Sequence, residues 1–203
     1  MLSRRDNFRF TATKVLIGLN VLVYVFTEFL NRRQQIIVND FFGLSGEGLL
    51  TGMIWQPVTY QFLHAGFFHL LVNMLGIWFS GNILEGLLGV RRFLQLYLVA
   101  GIAGGLLQMV YDSNTVLLGA SGAVCGLIAA FSTLYPRMPI TVLLFFVIPV
   151  RMQAMWLGIG LVILSGVLQL SGMFGNIGNM AHIGGAVAGF AWVRYGRLKR
   201  WIY

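Results

Sequence analysis

Two short stretches carry residue types that could do hydrolytic chemistry together. One is Gly119-Ala120-Ser121-Gly122, continuing through Ala123-Val124-Cys125-Gly126, and the other is Ala181-His182-Ile183-Gly184-Gly185. A serine hydroxyl is a poor nucleophile until a base within hydrogen-bond reach takes its proton, and histidine is the usual side chain for that task. Ser121 as nucleophile and His182 as base is therefore the reading to test. Both residues fall in apolar segments, where histidine is costly and tends to be functional. Serine flanked by glycines is, by itself, more often a helix-packing residue, and a lone histidine could cap a neighbouring helix. His69 and Asn73, four apart and so on one helix face, add further polar groups, with His64 just before them. These too could simply join helices.

Two other hydrolytic arrangements fail on spacing. The soluble hydrolase elbow needs Gly-x-Ser-x-Gly on a strand-to-helix turn, but Ala123 stands at the last glycine's place, and no Asp or Glu follows Asp112. A zinc protease needs two histidines four apart with a glutamate between them. His64 and His69 are five apart, with Ala65-Gly66-Phe67-Phe68 between. None of Asp6, Glu28, Asp40, Glu47, Glu85 and Asp112 is placed to orient His182, which leaves a two-residue Ser–His unit. No metal and no cofactor is expected.

The elements that must position these residues are membrane spans. Of the 203 residues 58% are hydrophobic and 10% charged, against about 25% charged in soluble domains. The net charge of +8 could suggest nucleic acid, but the basic residues sit between apolar runs, so topology explains them and no nucleic-acid partner is expected. Cys125 is the single cysteine, so no disulfide framework exists. The N-terminus lacks a signal peptide's short core and cleavage site, and its first apolar run is expected to remain a span. The expectation is an all-α integral membrane protein, one domain over residues 1–203. Its six helices, at roughly 11–30, 67–88, 93–111, 115–134, 154–170 and 180–193, form a compact bundle; a crossing needs about 20 residues. Residues 31–51, with Ile36-Ile37, Phe41-Phe42 and Leu49-Leu50, read as a partly embedded first external loop. Ile140 to Val150, punctuated by Pro136, Pro139 and Pro149, reads as interfacial or re-entrant. With six spans, twelve of the fourteen basic residues fall on one side and only Arg32 and Arg33 on the other, which puts both termini in the cytoplasm. Spans two, four and six then start on the outer side. Ser121 lies about two turns into span four, and His64, His69, Asn73 and His182 share its depth. Five polar residues from three segments at one level point to a site rather than to separate packing roles.

At these residues the chain resembles the rhomboid intramembrane serine proteases, of the bacterial type with a six-span core. The resemblance rests on His64-x4-His69-x3-Asn73, on Gly119-Ala120-Ser121-Gly122, on Ala181-His182-x2-Gly185-x3-Gly189, and on Glu85 followed by Gly89 and Arg91-Arg92. It implies a Ser121 nucleophile and a His182 general base acting through an acyl-enzyme. Asn73, His69 and the Ser121 backbone amide are implied as oxyanion stabilisers, with His64, Gly119, Gly122, Gly185 and Gly189 in support. It also implies substrates that are transmembrane proteins, cut near small residues, in a lipid environment such as a bacterial inner membrane. Two positions depart from the pattern. Trp55-Gln56 stands where members often have Trp-Arg, leaving open what anchors the first loop. Cys125 stands where many have a tyrosine against the catalytic histidine, so support for the His182 ring must come from elsewhere. A catalytically dead relative would be favoured by loss of Ser121 or His182, and both are present. A transporter using histidines as a proton path would predict carboxylates inside several spans and internal symmetry, and neither is evident.

Reporter fusions after Tyr203 and between Arg91 and Arg92 are expected to score cytoplasmic, and fusions near Asn114 or Asn176 external. A cytoplasmic score at Asn114 would overturn the shared-depth argument.

Overall fold

The computed structural model describes residues 11–144, 147–171 and 178–198. The basic N-terminal stretch, the glycine-rich loop at 172–177 and the tail beyond Leu198 lie outside the described residues, as do the basic side chains read there. Helix α1 spans Ala12–Glu28, α2 Arg32–Phe42, α3 Gly46–Leu50 and α4 Gln56–Thr59, which runs into a 3-10 turn at Tyr60–Phe62. Then come α5 (Phe67–Tyr111), α6 (Ser121–Leu134), strands β1 (Pro139–Leu144) and β2 (Ile148–Gln153), α7 (Ala154–Ser171) and α8 (Asn179–Leu198). The protein is mostly helical.

The sequence reading placed two spans between residues 67 and 111, and α5 is indeed two limbs. Gly89, at φ 75 and ψ 161, breaks the helix in a region open to glycine and strained for other residues. The chain folds back there, since a Cβ added to Gly81 would lie 3.2 Å from Cζ of Phe93. By length and composition α5 and α7 qualify as membrane-crossing helices. With 17 and 14 residues, α1 and α6 are shorter than the ~20 of a full crossing.

One stretch is not helical at all. Residues 139–153 form an antiparallel hairpin with Ile140 opposite Met152, Val142 opposite Val150 and Leu144 opposite Ile148, which corrects the all-α expectation. Ile140, Thr141, Val142, Ile148 and Val150 are β-branched and suit a pleated surface. Alternation along the strands sets Ile140, Val142 and Met152 on one face, and these three pack against the core.

The core itself joins Leu70, Ile77 and Leu84 of one α5 limb, Phe93 and Tyr97 of the other, Ala123, Leu127 and Phe131 of α6, and Val193 of α8. The outside is apolar as well: Leu22, Phe26, Phe29, Phe68, Trp78, Trp156, Leu164 and Leu170 are all exposed. Thr13, Asn20, Ser80, Gln108, Ser132 and Ser165 are meanwhile buried. A soluble domain rarely exposes so continuous an apolar surface, whereas a protein facing lipid must.

Buried helix ends need partners for their free N–H groups, and Glu85 supplies them to α1. Its carboxylate accepts from the Ala12 and Thr13 amides, both at 2.8 Å, and from the Thr13 hydroxyl at 2.7 Å. A negative charge at a helix N-terminus also suits the helix dipole. Glu85→Ala is expected to destabilise the folded protein by about 2 kcal/mol, read as a shift in the denaturation midpoint of the solubilised protein. A shift under about 0.5 kcal/mol would mean that water replaces the carboxylate without loss.

Candidate active site

The level of Ser121 is set by the chain before it. Leu44 and Leu117 exchange backbone hydrogen bonds of 3.0 and 2.8 Å, and the Gly119 amide donates to the Tyr60 carbonyl at 2.9 Å. The backbone groups around Leu117 and Gly119 are thereby committed to the first loop, and Gly119 takes φ +122, outside helical space. The expected helical start at Thr115 is therefore wrong. Helix α6 begins at Ser121 itself, not two turns earlier, so the Ser121 amide is one of the helix's free N-terminal donors.

On α8 the corresponding start is fixed by Gly178, at φ 65, and by Gln108 on α5, whose Oε1 accepts from the Met180 amide at 3.2 Å. His182 follows within the first turn. Its Nε2 lies 2.9 Å from Ser121 Oγ, a hydrogen bond between residues 61 apart in the chain. Both side chains are half-buried.

Glycines on both helices permit this approach. A Cβ on Gly185 would run into the Gly122 carbonyl, and one on Gly189 into the Gly126 carbonyl. Gly126 in turn faces the Gly185 carbonyl, 2.9 Å from where its own Cβ would be. His182, Gly185 and Gly189, at i, i+3 and i+7, thus share the face of α8 that meets Gly122 and Gly126 of α6. Gly184 faces elsewhere: its Cβ would lie 3.0 Å from Gly104 Cα and from Leu107 Cβ on α5. Helix α8 is wedged between two neighbours.

The remaining polar residues gather around the same point. The His69 ring occupies the space a Gly119 side chain would need, with Cε1 2.5 Å and Nε2 2.7 Å from that absent Cβ. Asn73 is buried, and one amide N–H donates to the His69 carbonyl at 2.9 Å; its second N–H is left over. Gly76, one turn on, meets Val124 of α6, so Asn73 lies level with the first turn of α6. The His64 ring sits 5.1 Å from that of His69, nearly edge-on. Burial first, and the neighbouring His69 second, push the His64 pKa down to about 4; the ring is neutral at physiological pH, and neither nitrogen has a protein partner. His64 is thus brought to the cluster without touching Ser121 or His182.

Three contributors escaped the sequence reading. Gln56, fully buried, accepts from the Ser45 amide at 3.1 Å and donates to the Asp40 carbonyl at 3.0 Å, so an amide anchors the first loop. Gln108 sets the start of α8. Ser165 on α7 brings its Oγ within 3.4 Å of His182 Nδ1, on the ring's other side. Each is a lone polar residue in an apolar or short segment, and only the tertiary arrangement reveals its partner. Among the described residues no group of three His, Cys, Asp or Glu side chains is placed to hold a metal. What the arrangement offers is a hydroxyl, an imidazole in contact with it, and N–H donors at the start of the same helix, groups of the kinds that acyl transfer requires.

Comparison with known proteins points the same way. Residues 51–198 match the family model described as the Rhomboid domain. The chain is 32% identical to RHOMBOID-like protein 12, mitochondrial, of Arabidopsis thaliana, over 91% of this chain and 60% of that protein. It is 31% identical to Rhomboid protease GluP of Bacillus subtilis, over 91% of this chain and 34% of that protein. To Rhomboid protein 1, mitochondrial, of Saccharomyces cerevisiae it is 36% identical, over 63% of this chain and 38% of that protein. The chain thus spans between about a third and three fifths of the length of these relatives.

Gly185→Val is expected to remove most activity, because its side chain would have to displace the Gly122 backbone and with it Ser121. Gly184→Val, against the Leu107 side chain and the α5 backbone at 3.0 Å or more, is expected to be milder. Equal, small effects of the two on cleavage of a single-span substrate would refute the close-approach account.

Proposed function

Since the chain belongs to the rhomboid family, we propose that it is an intramembrane serine endopeptidase that hydrolyses peptide bonds in or beside transmembrane segments through a Ser121–His182 dyad. The observation that carries this is the 2.9 Å contact between Ser121 Oγ and His182 Nε2, made by two half-buried residues from separate helices. Geometry of that kind is what a general base requires.

The proposed chemistry follows from the positions of the groups. Ser121 Oγ attacks the scissile carbonyl carbon as its proton passes to Nε2 of His182. The oxygen of the tetrahedral intermediate is met by the Ser121 amide, a free donor at a helix N-terminus, and by the remaining N–H of Asn73. His69, packed on Gly119, borders the same space and is assigned to it as a further donor. Collapse of the intermediate passes the Nε2 proton to the leaving amine and leaves an ester on Ser121. Water, activated by the same imidazole, then hydrolyses the ester.

The six-span single domain belongs to the same proposal. The spans are α1, the two limbs of α5, α6, α7 and α8, with both termini cytoplasmic and the site opening to the external side. The apolar outer surface supports it, as does the basic excess on one side. Substrates are transmembrane proteins cut near small residues, where a helix unwinds most readily. The relatives are named for mitochondrial and bacterial proteins alike, and the assignment here is to a bacterial-type inner membrane.

Ser121→Ala or His182→Ala is expected to abolish cleavage of a single-span substrate with stability changed by no more than about 1 to 2 kcal/mol, and Asn73→Ala to lower turnover roughly a hundredfold. Cleavage by Ser121→Ala at about a tenth of the parent rate would sink the assignment, since losing a nucleophile costs far more.

A further inference from the structure

The proposed dyad leaves one nitrogen of His182 unaccounted for. For Nε2 to accept the Ser121 proton, the neutral ring must carry its own proton on Nδ1, and the partner at that nitrogen decides the tautomer. Carboxylates usually serve there, yet Glu85 is committed to the start of α1 and no Asp or Glu follows Asp112. Among the described residues the side chain at Nδ1 is Ser165, its Oγ 3.4 Å away. Ser165 is only 4% exposed, on a helix where Ala154 is the one other buried residue. A helical serine can return its own proton to the carbonyl four residues earlier, which leaves lone pairs free to accept.

We propose that Ser165 is a positioning residue for His182, accepting the Nδ1 proton and so holding the ring in the tautomer and orientation that present Nε2 to Ser121. The inference rests on the Ser–His reading above. No proton is exchanged at Ser165: Nδ1 keeps its hydrogen while Nε2 gains one from Ser121 and gives it to the leaving amine. The Ser165 hydroxyl thus takes up, by a hydrogen bond, the role left open where Cys125 replaces a ring.

A consequence concerns α7. Its inner end is fastened by the Ala154 amide to the Met138 carbonyl at 2.9 Å and by the Ser132 hydroxyl to the Ala154 carbonyl at 2.8 Å. Between that end and Ser165 lies an apolar cleft of about 410 Å³, lined by Ala129, Gly158, Val162, Ala186 and Phe190 among others. Ser165 is the one buried residue in the outer half of α7, so on this proposal the alignment of the dyad depends on α7 being seated.

The test is the rate at which a fluorophosphonate labels Ser121 in the solubilised full chain, with kcat, KM and melting temperature measured in parallel. Fluorophosphonate labelling needs an activated serine but no membrane substrate, so it isolates the dyad from substrate entry. Ser165→Ala is expected to lower labelling and kcat about tenfold, the worth of one hydrogen bond to a group that becomes charged, with KM and melting temperature unchanged. Ser165→Thr, which keeps the hydroxyl, is expected to restore both rates, and Ser165→Cys, a weak acceptor, to fall between. Labelling of Ser165→Ala at the parental rate overturns the inference, and so do losses that follow side-chain size and melting temperature instead of acceptor strength. If threonine proves too large to fold, cysteine against alanine decides the order. Failure of the parent to label at all would overturn the Ser–His reading as well, so the two failures are distinguishable.

Discussion

A hydrogen bond of 2.9 Å between Ser121 and His182 requires the backbones of α6 and α8 to touch. Helices packed through ordinary side chains keep their axes roughly 8–10 Å apart, too far for two short side chains to meet in a fixed geometry. Gly122 and Gly126 face Gly185 and Gly189 instead, at a spacing of four on both helices, so the close approach continues over successive turns. Each glycine in a helix interior costs about 0.5–1 kcal/mol relative to alanine. In a lipid-facing bundle, where apolar surface gains little by leaving lipid for protein, the close packing that glycine allows is itself the main attraction between helices. The residues that make the bundle cohere are thus also the ones that let Ser121 and His182 meet. Leaving them unchanged while moving His182 by one position would turn its ring away from Ser121.

The buried polar groups do a second job that such a bundle demands. A helix end below the membrane surface exposes N–H groups that lipid cannot satisfy. Glu85 closes the start of α1, Gln108 reaches the start of α8, and Gln56 joins two segments of the first loop. The first α6 N–H groups are the exception. The chain before Ser121 is tied to Leu44 and Tyr60, and Gly119, with the His69 ring packed on it, turns the chain there. Every other helix start discussed here is given a partner; in the proposed reaction this one is left to meet the developing negative charge.

Much of this could be read from residue types alone. Ser121, His182, His69 and Asn73 stood out as polar residues at one depth in apolar segments, and the spacing of His182, Gly185 and Gly189 is one that puts residues on a single helix face. What the sequence could not show was where hydrogen bonds go when two stretches are equally apolar. Residues 115–120 have the composition of a span, and only the bridge from Leu117 to Leu44 and the turn at Gly119 keep them out of the helix. Residues 139–153 are apolar in both strand and helix terms, and the hairpin follows from cross-strand partners not visible in one strand. Ser165 is a single hydroxyl in an apolar run, indistinguishable by composition from a packing serine until the register of α7 against α8 is known. Gln56 looked like the loss of an anchor because its type was compared rather than its reach. Its amide both donates and accepts, which a guanidinium cannot.

The short length of α6 connects the fold to the need for water. Fourteen residues make a helix about 21 Å long, against a hydrocarbon core of about 30 Å. Arg137 follows three residues after the last helical position, and in the proposed topology it holds that end at the cytoplasmic boundary. The other end, with Ser121 at its first residue, then lies on the order of 9 Å below the outer boundary. The missing length is made up by chain hydrogen-bonded to Leu44 and Tyr60, and Ser121 and His182 stay half-buried. A full-length span would have carried the same serine into lipid with its amide spent on the preceding turn. For the proposed reaction, stopping the helix at Ser121 would give the nucleophile a free donor and a dipole of the right sign in one step.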